Sequence, residues 1–289
     1  MIFLFICLFA VTISHAIERR TLYEKVAVPD LIIYGTVLED DQKYALVSVE
    51  EVLKGAFQKP SINVSFRKEN LERQQREEKI EFTRGDKVIL LLEPFRTDSG
   101  RVKSDLFTIT GRDEGMIRVS AESATLTIEA IRRFVKIQSI KEQKRIWEGQ
   151  KALLKETNRL MVEAGLQEII KFWIAEPDMI PLLLEFIRGE NLQFRLSAAK
   201  IFCQLFEDET RKRARIEGRE EVIRELIQKA RGDASPSVRV ETIKALKRAG
   251  NVGLRDIFEA ISKGDEDQEV RYEAQKALYE IRSYDNEEE

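Results

Sequence analysis

Few side chains in this sequence are equipped for bond-making chemistry. It holds one histidine, His15, and two cysteines, Cys7 and Cys203. His15 and Cys7 fall in an apolar N-terminal run that reads as a removable signal, leaving a mature chain with no histidine and one cysteine. Nucleophile–histidine triads, histidine metal sites and Cys-rich zinc sites need residues that such a chain lacks. Carboxylate acid–base catalysis would need two acids converging in a pocket with different environments. The Asp and Glu residues fall mainly in turns and on solvent faces, and no pair stands out. Neither an enzyme activity nor a cofactor or metal is expected.

What the sequence offers instead is charge at repeated spacing. Asp233 and Arg239 stand six residues apart, as do Asp265 and Arg271. Arg195 marks an earlier copy, and five residues after each arginine comes a lysine: Lys200, Lys244 and Lys276. A row of three ammonium groups along one face is a candidate contact for an acidic partner. The competing explanation is that Lys is a good helix former at exposed sites. Glu241 and Glu273 stand three residues before two of the lysines and would mute the row's field. Cys203 reads as a small core residue.

Helices must carry these charges. Small or apolar residues recur three, six and seven places after each arginine: Ala198, Ile201 and Phe202; Thr242, Ala245 and Leu246; Ala274, Ala277 and Leu278. That is one buried helical stripe, present three times. A second apolar helix precedes each, over Met179–Arg188, Glu220–Lys229 and Leu254–Ser262. Two helices joined by a short acidic turn make the unit, and units repeated at a fixed period stack. The spacing from Arg195 to Arg239 exceeds that from Arg239 to Arg271, and the surplus, Glu207–Gly218, contains Arg211, Lys212 and Arg213. It reads either as an inserted binding loop or as a charged extension of one helix.

The stretch from Asp178 to Ile281 resembles the HEAT repeat in the shorter form of phycobilisome-lyase-like proteins, on the strength of Asp233/Arg239 and Asp265/Arg271. The resemblance implies a ladder of such pairs along the turns, tying repeat to repeat, with second helices lining a concave surface. Gly189 occupies the Asp slot of the first copy, leaving that rung without its carboxylate.

The remainder divides into further segments. Residues 1–16 end in Ser14-His15-Ala16, a small-x-small cleavage site. The run is shorter than the roughly 20 residues that span a bilayer, so a cleaved signal is preferred over an anchor. Residues 27–138 read as β-rich, with strand patterns at Leu31–Val37, Tyr44–Val49, Ile62–Phe66, Lys87–Leu92 and Leu106–Thr110, closed by a helix over Thr125–Ile137. Five short strands and a helix suggest a small, partly open barrel. Pro29–Val37, Val49–Gly55 and Arg84–Leu92 are similar to the exported OB-fold domains related to tissue inhibitors of metalloproteases. Those inhibitors chelate zinc through an N-terminal Cys. A mature chain beginning at Ile17 lacks one, so the resemblance implies the fold and not the mechanism. Tyr34, Tyr44 and Phe66 read as strand packing rather than as base-stacking groups.

Lys68–Lys79 is a run of mixed charge that reads as a solvated helix or loop, with a docking arm as the alternative. Residues 139–175 read as a helical linker and irregular cap, with Trp147 and Trp173 filling it; 176–284 as HEAT-like repeats; 285–289 as an acidic tail. Forty-eight basic against fifty-one acidic residues leave no global field for nucleic acid or an acidic membrane. An exported chain without internal disulfides points to a bacterial periplasm or a similar secreted setting. The expected architecture is an all-β OB-like barrel with one helix, followed by an all-α HEAT-type solenoid. The expected function is a noncatalytic adaptor for protein partners. The alternative is a protease inhibitor or enzyme modulator acting through the barrel.

Overall fold

The computed structural model describes residues 20–41, 44–65, 81–97, 99–212, 216–250 and 252–285. The signal reading of residues 1–16, Phe66, the charged run Lys68–Lys79 and residues 286–289 of the acidic tail lie outside the described residues.

The N-terminal unit is a closed barrel, not the partly open one the sequence suggests, because β1 pairs with β4 as well as with β2. Its strands are β1 (Leu31–Asp40), β2 (Tyr44–Lys54), β3 (Ser61–Ser65), β4 (Lys87–Arg96) and β5 (Val102–Ile109), with a short β6 (Met116–Arg118). The circuit runs β1-β2-β3-β5-β4 and returns to β1, with β6 added on β4. β3 and β5 pair in parallel, Val64 opposite Phe107, while the other pairings are antiparallel. Closure removes the free strand edges that would otherwise invite aggregation.

Pleating explains the unbroken apolar run of β4. Val88, Leu90 and Leu92 fill the barrel interior with Ile33, Val47, Ile62 and Val64. The alternate residues Ile89 and Leu91, with Ile32 of β1, meet a second core that contains Ile131 and Phe134 of helix α2 (Ala121–Gln138). A strand buried on both faces has no polar side to show. Gly35 sits where β1 changes register against β2, and a Cβ there would lie 1.8 Å from the Ser48 carbonyl oxygen. Only glycine admits that approach.

Two small elements escape the strand-and-helix pattern of the sequence. One is β6. The other is α1 (Leu22–Ala27), started by a capping box in which Thr21 Oγ1 accepts from the Glu24 amide and Glu24 accepts from the Thr21 amide at 2.9 Å. Tyr23 of α1 packs edge-to-face on Phe134 with ring centroids 5.3 Å apart.

The segment after the barrel forms α3 (Gln143–Ala152) and α4 (Arg159–Phe172). It belongs to two cores at once. Leu153 is buried with Phe134 and Ile131, while its neighbour Leu154 is buried with Leu166, Ile169 and the residues beyond. Asn158 fixes the hinge point: its Nδ2 donates to the Leu126 carbonyl of α2 at 2.8 Å and its Oδ1 accepts from the Leu160 amide at 3.0 Å.

Three helical hairpins follow: α5 (Ile180–Arg188) with α6 (Leu192–Lys212), α7 (Arg219–Gly232) with α8 (Pro236–Ala249), and α9 (Arg255–Gly264) with α10 (Gln268–Asp285). The second helices pack side by side, α6 on α8 and α8 on α10, and α4 packs on the free side of α6. The stripe slots Ala198, Ile201, Phe202, Thr242, Ala245, Leu246, Ala274 and Ala277 are all buried. α6 runs 21 residues against 14 for α8. Through Lys212, then, the surplus is an extension of one helix rather than an inserted loop.

Candidate functional site

The recurring arginines and aspartates meet at the turns between helices. Asp233 and Asp265 are the residues at which α7 and α9 end, and each first serves its own turn. Asp233 Oδ1 accepts from the Ser235 amide at 3.0 Å and Asp265 Oδ1 from the Asp267 amide at 2.9 Å. Such local capping is why Asp suits the slot. The arginine six residues on then bonds back to the backbone rather than to the side chain of that Asp. Arg239 Nη1 donates to the Asp233 carbonyl at 2.7 Å, and Arg271 Nη1 to the Asp265 carbonyl at 2.6 Å.

The carboxylates point the other way along the stack. Arg195 Nε lies 2.8 Å from Asp233 Oδ2, and Arg239 Nη2 lies 2.9 Å from Asp265 Oδ1. Each rung therefore joins an arginine to the aspartate of the following repeat. Arg195 lacks nothing because of Gly189: it donates to the Gly189 and Glu190 carbonyls at 3.2 and 2.6 Å and takes its carboxylate from Asp233. Arg239 and Asp265 side chains are almost fully enclosed, at 6% and 8% exposure. Loss of either would strand the other as a buried charge.

The lysine row is unequal. Lys244 Nζ is held 2.9 Å from Glu241. Burial works to lower its pKa, and Glu241, with Glu273 and Glu269 behind it, raises it on balance. Glu273 does not pair with Lys276. It is buried and faces Lys247 of the preceding repeat at 3.5 Å, with Glu280 on the same ammonium at 3.2 Å. Half-buried Lys200 and exposed Lys276 make no ion pair among the described residues. In the basic run, Arg211 is paired with Glu207. Lys212 is described only in its backbone, and Arg213 lies outside the described residues. Cys203 is half-buried against the solenoid core, and burial pushes its thiol up.

The two tryptophans do not fill the cap as the sequence suggests. Trp147 and Trp173 remain 36% and 43% exposed. Trp173 ends α4 in a left-handed conformation, φ 54°, which turns the ring outward to within 3.3 Å of Asp208 Oδ1. The space is taken by Leu154, Val162, Leu166 and Ile169.

Between barrel and solenoid lies a polar cluster that the periodicity does not single out. Glu168 of α4 is 3% exposed and accepts from Gln150 Nε2 of α3 at 2.8 Å, and the same nitrogen is 3.4 Å from the Tyr23 hydroxyl of α1. Burial pushes the Glu168 carboxyl up to about 7, Lys171 opposing and Glu24 adding to the rise. The one hint in the sequence is a carboxylate at an inward slot, between Leu166 and Ile169. On the barrel, an open cleft of about 650 Å³ is lined by Asp41, Tyr44, Asn63, Val102, Lys103 and Asp105. Tyr44 is thus partly a surface residue, 39% exposed, while Tyr34 packs against the core under α2. Among the described residues, no three His, Cys, Asp or Glu side chains are grouped to hold a metal ion. No described helix is long and apolar enough to cross a membrane.

The fold and the ladder define a class: a closed five-stranded barrel joined to a helical-repeat solenoid. A family model for HEAT repeats matches residues 223–288, the part that holds most of α7, all of α8 to α10 and the clean Asp/Arg copies. No curated protein matches the chain.

Proposed function

We propose that the protein is a noncatalytic adaptor that binds protein partners through its stacked repeats, with the barrel as a second contact surface. The observation that carries this reading is the ladder itself. Arg195–Asp233 and Arg239–Asp265 hold three hairpins in one register, so the second helices present a continuous, ordered face. Stacked repeats of this kind create extended binding surfaces. Lys200 and Lys276, which make no ion pair among the described residues, are the candidate cations for an acidic partner.

The apolar leader of residues 1–16 supports an exported protein, periplasmic or secreted, in a bacterium. The cleft bordered by Asp41, Tyr44 and Lys103 supports the barrel as the second surface. None of its described lining residues is a cysteine, and the adaptor reading is preferred to an inhibitor.

The test is crosslinking and capture from an envelope fraction, comparing the natural chain with one carrying Lys200→Glu, Lys244→Glu and Lys276→Glu after circular dichroism shows both folded. Loss of a specific crosslinked protein from the variant is the expected result. Identical captured sets would remove the lysine row from the binding surface and direct attention to the barrel cleft.

A further inference from the structure

The repeat interface does not stop at the last hairpin. In α6 and α8 the residues one, four and eight places after the arginine form the stripe turned toward the next second helix. They are Leu196, Ala199 and Cys203 in α6, and Val240, Ile243 and Lys247 in α8. Ala199, Val240 and Ile243 are buried, and Lys247 reaches Glu273 and Glu280 of α10. In α10 the same slots carry Tyr272, Gln275 and Tyr279, and the tyrosines stand 64% and 77% exposed.

The ladder is open at the same end. Arg271 Nη1 holds the Asp265 and Glu266 carbonyls at 2.6 and 2.9 Å, as its counterparts hold theirs. Its Nη2, the atom that donates to a carboxylate in Arg195 and Arg239, has no partner among the described residues. Two exposed tyrosines on the outer stripe of a helix whose first turn carries an arginine with no acid on its Nη2 among the described residues are the composition of a binding surface rather than of a polar cap.

We infer that the outer face of α10 docks a helical hairpin of another protein, one whose inter-helix turn presents an Asp to Arg271. Continuity points there: the geometry that seats Asp265 on Arg239 and α10 on α8 is repeated one step on, with no carboxylate on Arg271 Nη2 among the described residues. A second copy stacked head to tail does not fit. Its exposed first turn would offer Gly189 in the Asp slot, and α4 already covers that end of α6. This site rests on the adaptor reading for the nature of its occupant, and it names the chemistry that occupant needs.

The experiment supplies the hairpin in cis. Ile281 stands ten residues after Arg271, as Ala249 stands after Arg239, so the chain through Ile281 is continued by a second copy of residues 250–285. Hydrogen exchange is measured on the α9–α10 amides of the full chain and of this extended chain. Stacking is expected to slow exchange there by about tenfold or more, and Asp265→Ala in the appended copy alone is expected to abolish most of that protection. Unchanged exchange would overturn the site, and so would protection indifferent to the appended Asp. Light scattering of the natural chain gives a separate check, since a concentration-dependent dimer lost on Tyr279→Asp would make a second copy the occupant and overturn the assignment. None of these results depends on the lysine-row capture, so the two readings fail independently.

Discussion

Arg239 and Asp265 are 26 residues apart in the chain and 2.9 Å apart in space, buried together at the junction of two repeats. The arginine also holds the carbonyl of Asp233, the residue that occupies in its own turn the slot Asp265 occupies in the next. One guanidinium thus fixes a turn and its neighbour at once.

Arg239→Ala leaves Asp265 buried without its cation and is expected to cost about 3–5 kcal/mol, the range for breaking a buried pair from one side. Arg271→Ala removes only bonds to carbonyls at a half-buried site and is expected to cost about 1–2 kcal/mol. Urea unfolding followed at 222 nm compares them. Equal losses would mean that the carboxylate of the next repeat contributes little.

Gly189→Asp is expected to be tolerated. Its backbone is extended, φ −66° and ψ 169°, and an added Cβ would meet nothing closer than 3.4 Å. The new carboxylate would cap the turn as Asp233 caps its own, a gain of up to about 1 kcal/mol. A clear loss in melting temperature would show that the first turn differs from the other two.

Gly35→Ala is the opposite case, because the Cβ would lie 1.8 Å from a backbone oxygen that cannot swing aside. A cost of about 3 kcal/mol or more is expected, read as loss of barrel protection in hydrogen exchange while the α7–α10 amides stay protected.

Glu168 makes stability depend on pH in a defined direction. Its folded pKa, about 7, lies above the ordinary 4.5, so the folded state binds more protons between those values. Stability from this group is therefore fully present below 4.5, falls as pH rises toward 7 and is level above it. Glu168→Gln keeps the acceptor for Gln150 and removes the charge. At pH 8 it is expected to stabilise by on the order of 1–3 kcal/mol, and the gain should vanish at pH 4. Parallel melting curves for both proteins across that span would sink the assignment.

Much of the architecture is legible in the residues. The stripe after each arginine marks α6, α8 and α10, because a helix repeats its inward face every three or four residues whatever it packs against. The alternation in β1 and the unbroken apolar run in β4 mark strands for the same local reason. α1 and β6 are too short to show a period, and α1 is announced only by its Thr21–Glu24 capping box.

The sequence by itself determined which faces are buried and where turns fall, since both follow from side-chain period and from the local preferences of Asp and Gly. It did not determine that the carboxylate of Asp233 goes back to Arg195 and that of Asp265 to Arg239, because spacing within a turn says nothing about contacts made across a stack. The same holds for the pairing of Glu273 with Lys247, the burial of Glu168 between two domains and the outward turn of Trp173. Each is set by how neighbouring helices are placed, and that placement is decided only when all the apolar stripes are satisfied together in the tertiary structure.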